Sequence, residues 1–93
     1  MKPVELDEII TFLKQVIARE TKLDVNKIEV DQHLGVFGLD SINSVYVLQQ
    51  LEDFLQLELS PLLFWDYPTI KSLSIHLYQL KNNGNEQALG SIR

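Results

Sequence analysis

Cysteine is missing from the 93 residues, which excludes a disulfide framework, a thiolate metal site and a thiol nucleophile. Histidine occurs only as His33 and His76, which stand alone, and the aspartates lack the alternating spacing of a calcium-binding loop. No apolar run approaches the roughly 20 residues that a membrane span needs. The opening stretch MKPVELDEII is acidic and has no apolar secretion-signal core. Repeats, hairpin signals and extended heptads are absent as well. What remains is long enough for one core and no more, with 45% hydrophobic and 23% charged residues. The expectation is a single soluble domain in the cytoplasm.

Positive charge is missing where it would matter most. Residues 1–30 carry five basic and six acidic side chains, whereas 31–67 hold no Lys or Arg against Asp31, Asp40, Glu52, Asp53, Glu58 and Asp66. Net charge is −5 for the whole chain, so the middle third alone exceeds it. Phosphate contacts need Lys and Arg, and nucleic acid is therefore excluded as a natural partner. Acidic surfaces instead favour basic partner proteins, chiefly through association rate and orientation.

The apolar residues that are present repeat with helical spacing. Leu6, Ile9, Ile10, Leu13, Val16 and Ile17 predict a first helix over about 4–20, with Pro3 at its first turn and Phe12 at the edge of its buried stripe. The stretch TKLDVNKIEVDQHLGVFG is too irregular for a helix and too apolar for a free linker. It reads as an ordered loop pinned by Leu23, Val25, Ile28, Leu34 and Phe37. A second helix is predicted over Ser41–Leu55, with Val45, Leu48, Leu51 or Phe54, and Leu55 inward and Val47 beside them. Pro61 and Pro68 leave room for one short turn around Leu62–Asp66. Thr69 then caps a last helix through Ile70, Leu73, Leu77 and Leu80. Residues 82–93 read as a polar, aperiodic tail behind a domain spanning 1–81. The fold class is all-α, three main helices and one short one.

Chemistry concentrates at FGLDSI. A serine hydrolase is excluded, because GLDSI lacks the second glycine of a nucleophile elbow and no strand precedes it. His33 falls in the long loop and could approach Ser41, but no acid is placed to orient it. Ser41 itself stands at a helix start, where unpaired N–H groups and a partial positive charge would stabilise an attached phosphate ester. Asp40 can cap that helix, and Gly38 permits the sharp turn that offers the serine outward.

FGLDSI resembles the phosphopantetheine attachment motif of acyl carrier proteins, G-x-D-S-L or G-x-D-S-I. Val45, Val47, Leu48, Leu51 and Leu55 are similar to the apolar pattern of that family's second helix. LLFWDYPTIKSLSIHL is similar to the F-[DE]-Y-P-T-[IV] segment and last helix of polyketide synthase carriers. The resemblance covers about residues 5–80 and implies an acyl-carrier-like bundle that is not itself an enzyme. It implies 4′-phosphopantetheine, moved from coenzyme A to Ser41 by a separate transferase, with Asp40 and Gly38 as supporting residues. Acyl groups would ride on the terminal thiol as thioesters, supplying the thiol that the chain lacks. The partners implied are a phosphopantetheinyl transferase, an acyl-loading enzyme (acyltransferase or acyl-adenylate ligase) and a ketosynthase or tailoring enzymes. The expected partner contacts are Ile42, Val47, Glu52, Asp53 and Trp65.

The outer face of the second helix carries Asn43, Tyr46, Gln49 and Gln50 in place of the acids usual in bacterial fatty-acid carriers. With FWDYPTI, this points to polyketide or mixed polyketide–peptide biosynthesis. Gly38–Leu39 stands where peptidyl carriers typically have a glycine pair, and Val47 stands where β-branching carriers have tryptophan. The start at Met1 suggests a free-standing carrier. A peptidyl carrier domain and an unmodified helical interaction domain are the alternative readings.

Overall fold

In the computed structural model, which describes residues 4–82, every expected helix forms. The first, α1, spans Leu6–Thr21. The Glu8 carboxylate accepts the Glu5 N–H at 2.8 Å, so the helix starts two residues later than Val4. Pro3 lies outside the described residues. Ile9, Leu13, Val16 and Ile17 are fully buried, while Leu6 and Ile10 are half-buried at the stripe's margins. Phe12 sits at the edge as expected and stacks on Phe54, with ring centroids 4.2 Å apart. Lys22 ends the helix in the left-handed region.

The long loop is ordered by two short 3-10 turns, Val25–Lys27 and Leu34–Phe37. Ile28, Leu34 and Phe37 enter the core, but Leu23 and Val25 do not, being 39% and 38% exposed. The Asp24 side chain accepts the Asn26 N–H at 2.9 Å and closes the first turn at the surface, which leaves its apolar neighbours outside. Further on, the loop is stitched to the start of the last helix. Leu34 N–H donates to the Pro68 carbonyl at 2.7 Å, and Lys71 N–H donates to the Val30 carbonyl at 2.8 Å.

Helix α2 spans Ser41–Leu55, α3 is the short helix Leu63–Asp66, and α4 spans Ile70–Asn82. Thr69 Oγ1 accepts the Ser72 N–H at 3.1 Å, the cap expected of it. Asn82, expected to begin the tail, is the last helical residue; 83–93 lie outside the described residues. Helix α1 packs against both α2 and α4. Val47, Leu48, Leu51 and Leu55 form the buried face of α2, and Ile70, Leu73 and Leu77 that of α4. Val45, expected inward, is 45% exposed. At 3.6 residues per turn it falls roughly 100° from the centre of the arc that the four buried side chains share. No helix among the described residues is long and apolar enough to cross a membrane.

Two polar side chains mark the α4 face. The His76 ring stacks on Tyr67 with centroids 4.1 Å apart, joining α4 to the segment after α3. Burial pushes its imidazole below the usual histidine value, and the Asp66 carboxylate pulls it partly back. Ser74 is fully buried and its Oγ has no hydrogen-bond partner.

Leu51→Ala and Leu77→Ala should each lose about 2–5 kcal/mol of unfolding free energy, because both leave a cavity in a closed core. Ser74→Ala should do the opposite and raise stability, since an unsatisfied buried hydroxyl costs about 1–3 kcal/mol. Urea titrations of the three variants decide both points. A Ser74→Ala protein that unfolds as early as Leu77→Ala would mean the hydroxyl has a partner.

Candidate functional site

The site is assembled from the loop upward. Leu34 and Phe37 anchor the second 3-10 turn, which ends as Gly38 N–H donates to the Gly35 carbonyl at 3.1 Å. Gly38 then turns through φ 84°, ψ 17°, in the left-handed region where a side chain is disfavoured. Leu39 is half-buried, and the chain reaches Asp40 in extended conformation. Asp40 Oδ1 accepts two N–H groups, from Ile42 at 3.0 Å and from Asn43 at 2.8 Å. The Asp40 carbonyl accepts the Ser44 N–H at 2.9 Å. Ser41 is thereby the first residue of α2, and it is exposed.

This geometry alters one expectation. The unpaired N–H groups that were to cradle a phosphate are taken up by Asp40 at Ile42 and Asn43. Asp40 is thus the helix cap, and its negative charge faces the positive end of α2.

Beside Ser41 lies an open groove of about 600 Å³. Val45 of α2, His33 and Leu39 of the loop, and Phe64 and Trp65 of α3 line it with Ser41 itself. The walls are mostly apolar. On the groove, Trp65 is 82% exposed, and Ile42, next to Ser41 in α2, is 66% exposed, apolar surface of the kind that marks an interaction site.

The remaining expected contacts divide. Val47 is fully buried and faces the core, so it does not present a partner contact. It shares the arc of Leu48, Leu51 and Leu55, which the packing against α1 draws inward. Glu52 is half-buried, and its Oε2 accepts the Leu59 N–H at 2.9 Å, so its carboxylate holds the segment after α2 in place. Asp53 is exposed. At about 1.5 Å per residue, Asp53 lies roughly 18 Å along the helix from Ser41. Ser41, Ile42 and Trp65 therefore gather at one end of the bundle, and Glu52 and Asp53 at the other. Tyr46 is more than half exposed, as expected of the outer face of α2, whereas the exposure of Val36 and Leu62 was not anticipated. Their signal is apolar character at positions off the buried helical arcs. Among the described residues no group of three His, Cys, Asp or Glu side chains is placed to hold a metal.

An exposed serine thus opens α2 beside an apolar groove. The chain belongs to the phosphopantetheine attachment site family, whose profile matches residues 11–77. The family's group is 4′-phosphopantetheine, and its members carry it rather than catalyse. Among curated proteins, polyketide synthase PksN of Bacillus subtilis is 35% identical over 72 residues, covering 77% of this chain and 1% of that protein. A non-reducing polyketide synthase of Zymoseptoria tritici is 32% identical over 77 residues, covering 83% of this chain and 3% of that protein. The chain thus spans only a few hundredths of the length of these relatives. Two solved structures share the fold. A free-standing peptidyl carrier protein from an uncharacterized Acinetobacter baumannii secondary metabolic pathway is 37% identical with TM-score 0.75, covering 78% of this chain and 91% of that one. The HMG-ACPI domain of the CurA module from Lyngbya majuscula is 30% identical with TM-score 0.80, covering 91% and 86%.

The residues fit the family's group. Ser41 is exposed and opens onto a mostly apolar groove. The terminal thiol of that group is what holds an acyl chain as a thioester.

Gly38→Ala should destabilise the domain by about 1–2 kcal/mol, the steric penalty of a side chain in the left-handed region. Because nothing lies within 4 Å of a Cβ built there, the loss is conformational, and Gly38→Asn should recover part of it. Thermal unfolding checks the order glycine, asparagine, alanine. Equal midpoints would show that the turn relaxes without cost.

Proposed function

We propose that the chain is an acyl carrier that bears phosphopantetheine on Ser41 and passes thioester-bound acyl groups between enzymes of polyketide or mixed polyketide–peptide biosynthesis. The observation that carries this reading is the exposure of Ser41 as the capped first residue of α2, at the mouth of an apolar groove. Asp40 supports it by fixing the start of the helix, and Gly38 by turning the chain into that cap. The curated relatives named as polyketide synthases support the pathway. A peptidyl carrier is the second reading, favoured by the likeness to the Acinetobacter baumannii protein and opposed by Gly38–Leu39 in place of two glycines.

The carrier works in the cytoplasm, where coenzyme A and a phosphopantetheinyl transferase are at hand, and its domain closes with α4. The acyl-loading enzyme, an acyltransferase or acyl-adenylate ligase, and a ketosynthase or tailoring enzyme then approach the Ser41 end. Ile42 and Trp65 give these partners apolar contacts, and Asp53 contributes to their attraction from the far end of α2. The unmodified interaction domain is the reading against which the test is framed.

Incubation with coenzyme A and a broad-specificity phosphopantetheinyl transferase should add one phosphopantetheinyl group, read by intact mass. Ser41→Ala should abolish the addition. Ser44→Ala should leave it, because that hydroxyl is half-buried and donates to the Ser41 carbonyl at 3.2 Å. Addition to the Ser41→Ala protein would move the attachment elsewhere, and no addition to the parent would favour the unmodified domain.

Charge gives a second test. Asp53→Lys should lower kcat/KM for the transferase and flatten its salt dependence, acting through encounter rate. Exposed charges are screened beyond about 10 Å at 0.1 M salt, so the effect should fade as salt is added. Glu52 is left unchanged, because reversing it would free the Leu59 N–H. An Asp53→Lys protein loaded at the parental rate across the salt series would make docking wholly apolar.

A further inference from the structure

The capping of α2 leaves an electrostatic problem at the proposed attachment point, and this inference rests on Ser41 being that point. A phosphodiester on Ser41 is an anion set beside the Asp40 carboxylate. Of the donors that a helix start would offer it, Ile42 N–H and Asn43 N–H are bonded to Asp40 Oδ1, and Ser44 N–H is bonded to the Asp40 carbonyl. No Lys or Arg occurs from Asp31 to Tyr67 to compensate. Among the side chains lining the groove, His33 brings a ring nitrogen from another element.

One ring nitrogen of His33 is engaged by the backbone, which leaves Nε2 for another partner. Its Nδ1 accepts the Gly35 N–H at 3.1 Å, and the ring lies so close to Gly35 that a Cβ there would sit 3.3 Å from Nδ1. With Nδ1 an acceptor, the proton of the neutral ring is assigned to Nε2 by this geometry. The backbone is fixed as well, by the bridge between His33 and Thr69 and by the Leu34 N–H bond to the Pro68 carbonyl at 2.7 Å. A donor whose tautomer and main chain are already set loses little freedom on binding an anion, and a bond from an ionised partner is about twice as strong as a neutral one.

We propose that His33 is a positioning residue for the attached group: its Nε2–H donates to a non-bridging oxygen of the Ser41 phosphodiester and directs the arm along the groove toward Trp65. The Trp65 indole N–H is another ring donor on the same groove, but it stands on a side chain that is 82% exposed and lacks such anchoring.

The test compares apo and holo protein, each verified by intact mass, by side-chain nitrogen spectra of histidine and by phosphorus NMR. In the holo parent, the His33 imidazole resonances should differ from those of the apo form. The phosphorus resonance should be displaced from its position in urea-unfolded holo protein. His33→Asn keeps a short side-chain acceptor for the Gly35 N–H but does not reach the phosphate. It should melt near the parent and lose the phosphorus displacement. His33→Gln, with a longer amide donor, should recover part of it. Absence of a mass gain at Ser41 would overturn the attachment reading and this inference together. A mass gain with identical His33 resonances in apo and holo protein, or an unchanged phosphorus displacement in His33→Asn, would overturn the role of His33 alone.

Discussion

One carboxylate oxygen determines where α2 begins, and the functional end of the bundle depends on it. Asp40 Oδ1 accepts both the Ile42 and the Asn43 N–H, so the next residue after the cap is Ser41 and its side chain stands clear of the helix. An alternative start one residue later would leave those donors unpaired and rotate the serine out of its place at the groove. A cap of this kind is worth about 0.5–2 kcal/mol. It also spends two donors of the helix terminus on the protein itself, so an anion attached there depends more on donors from other elements.

Those other elements are held by the packing of α1. It contacts both α2 and α4, and the apolar residues of all three close one core. Holding the long loop between α1 and α2 in one conformation carries a considerable entropy cost. Burial of Ile28, Leu34 and Phe37, together with the bonds to Pro68 and Lys71, offsets that cost and brings His33 and Gly38 to the same end as α3. The opposite end of α2 is built differently. There Glu52 is used to hold Leu59, leaving Asp53 as the free acid. The helix thus separates an apolar, groove-bearing end from an acidic one by most of its length.

This division suits a carrier. The chain presents a serine on a rigid support, with no cluster of metal ligands among the described residues, and its reactive chemistry belongs to the group that the family carries and to the enzymes that handle it. Exposed Ile42 and Trp65 stand at the Ser41 end of the bundle, an apolar surface of the kind that marks interaction sites.

The helices, the caps at Asp40 and Thr69, and the exposure of Ser41 were legible in the amino-acid sequence, because each follows from residues within one or two turns of one another. The left-handed turn at Gly38 was legible for the same reason. The phase of α2 was not. Val45 and Val47 are chemically equivalent and two residues apart, and only the placement of α1 decides that Val47 is buried and Val45 faces the groove. Nor did composition reveal that Glu52 is spent on the Leu59 N–H, or that Leu23 and Val25 stay outside. His33 reaches the groove of Ser41 because the loop that carries it is bonded to the start of α4, more than thirty residues away in the chain. Local periodicity determined which segments are helical and where they start; which side chains meet was decided by long-range hydrogen bonds and packing, which no local pattern encodes.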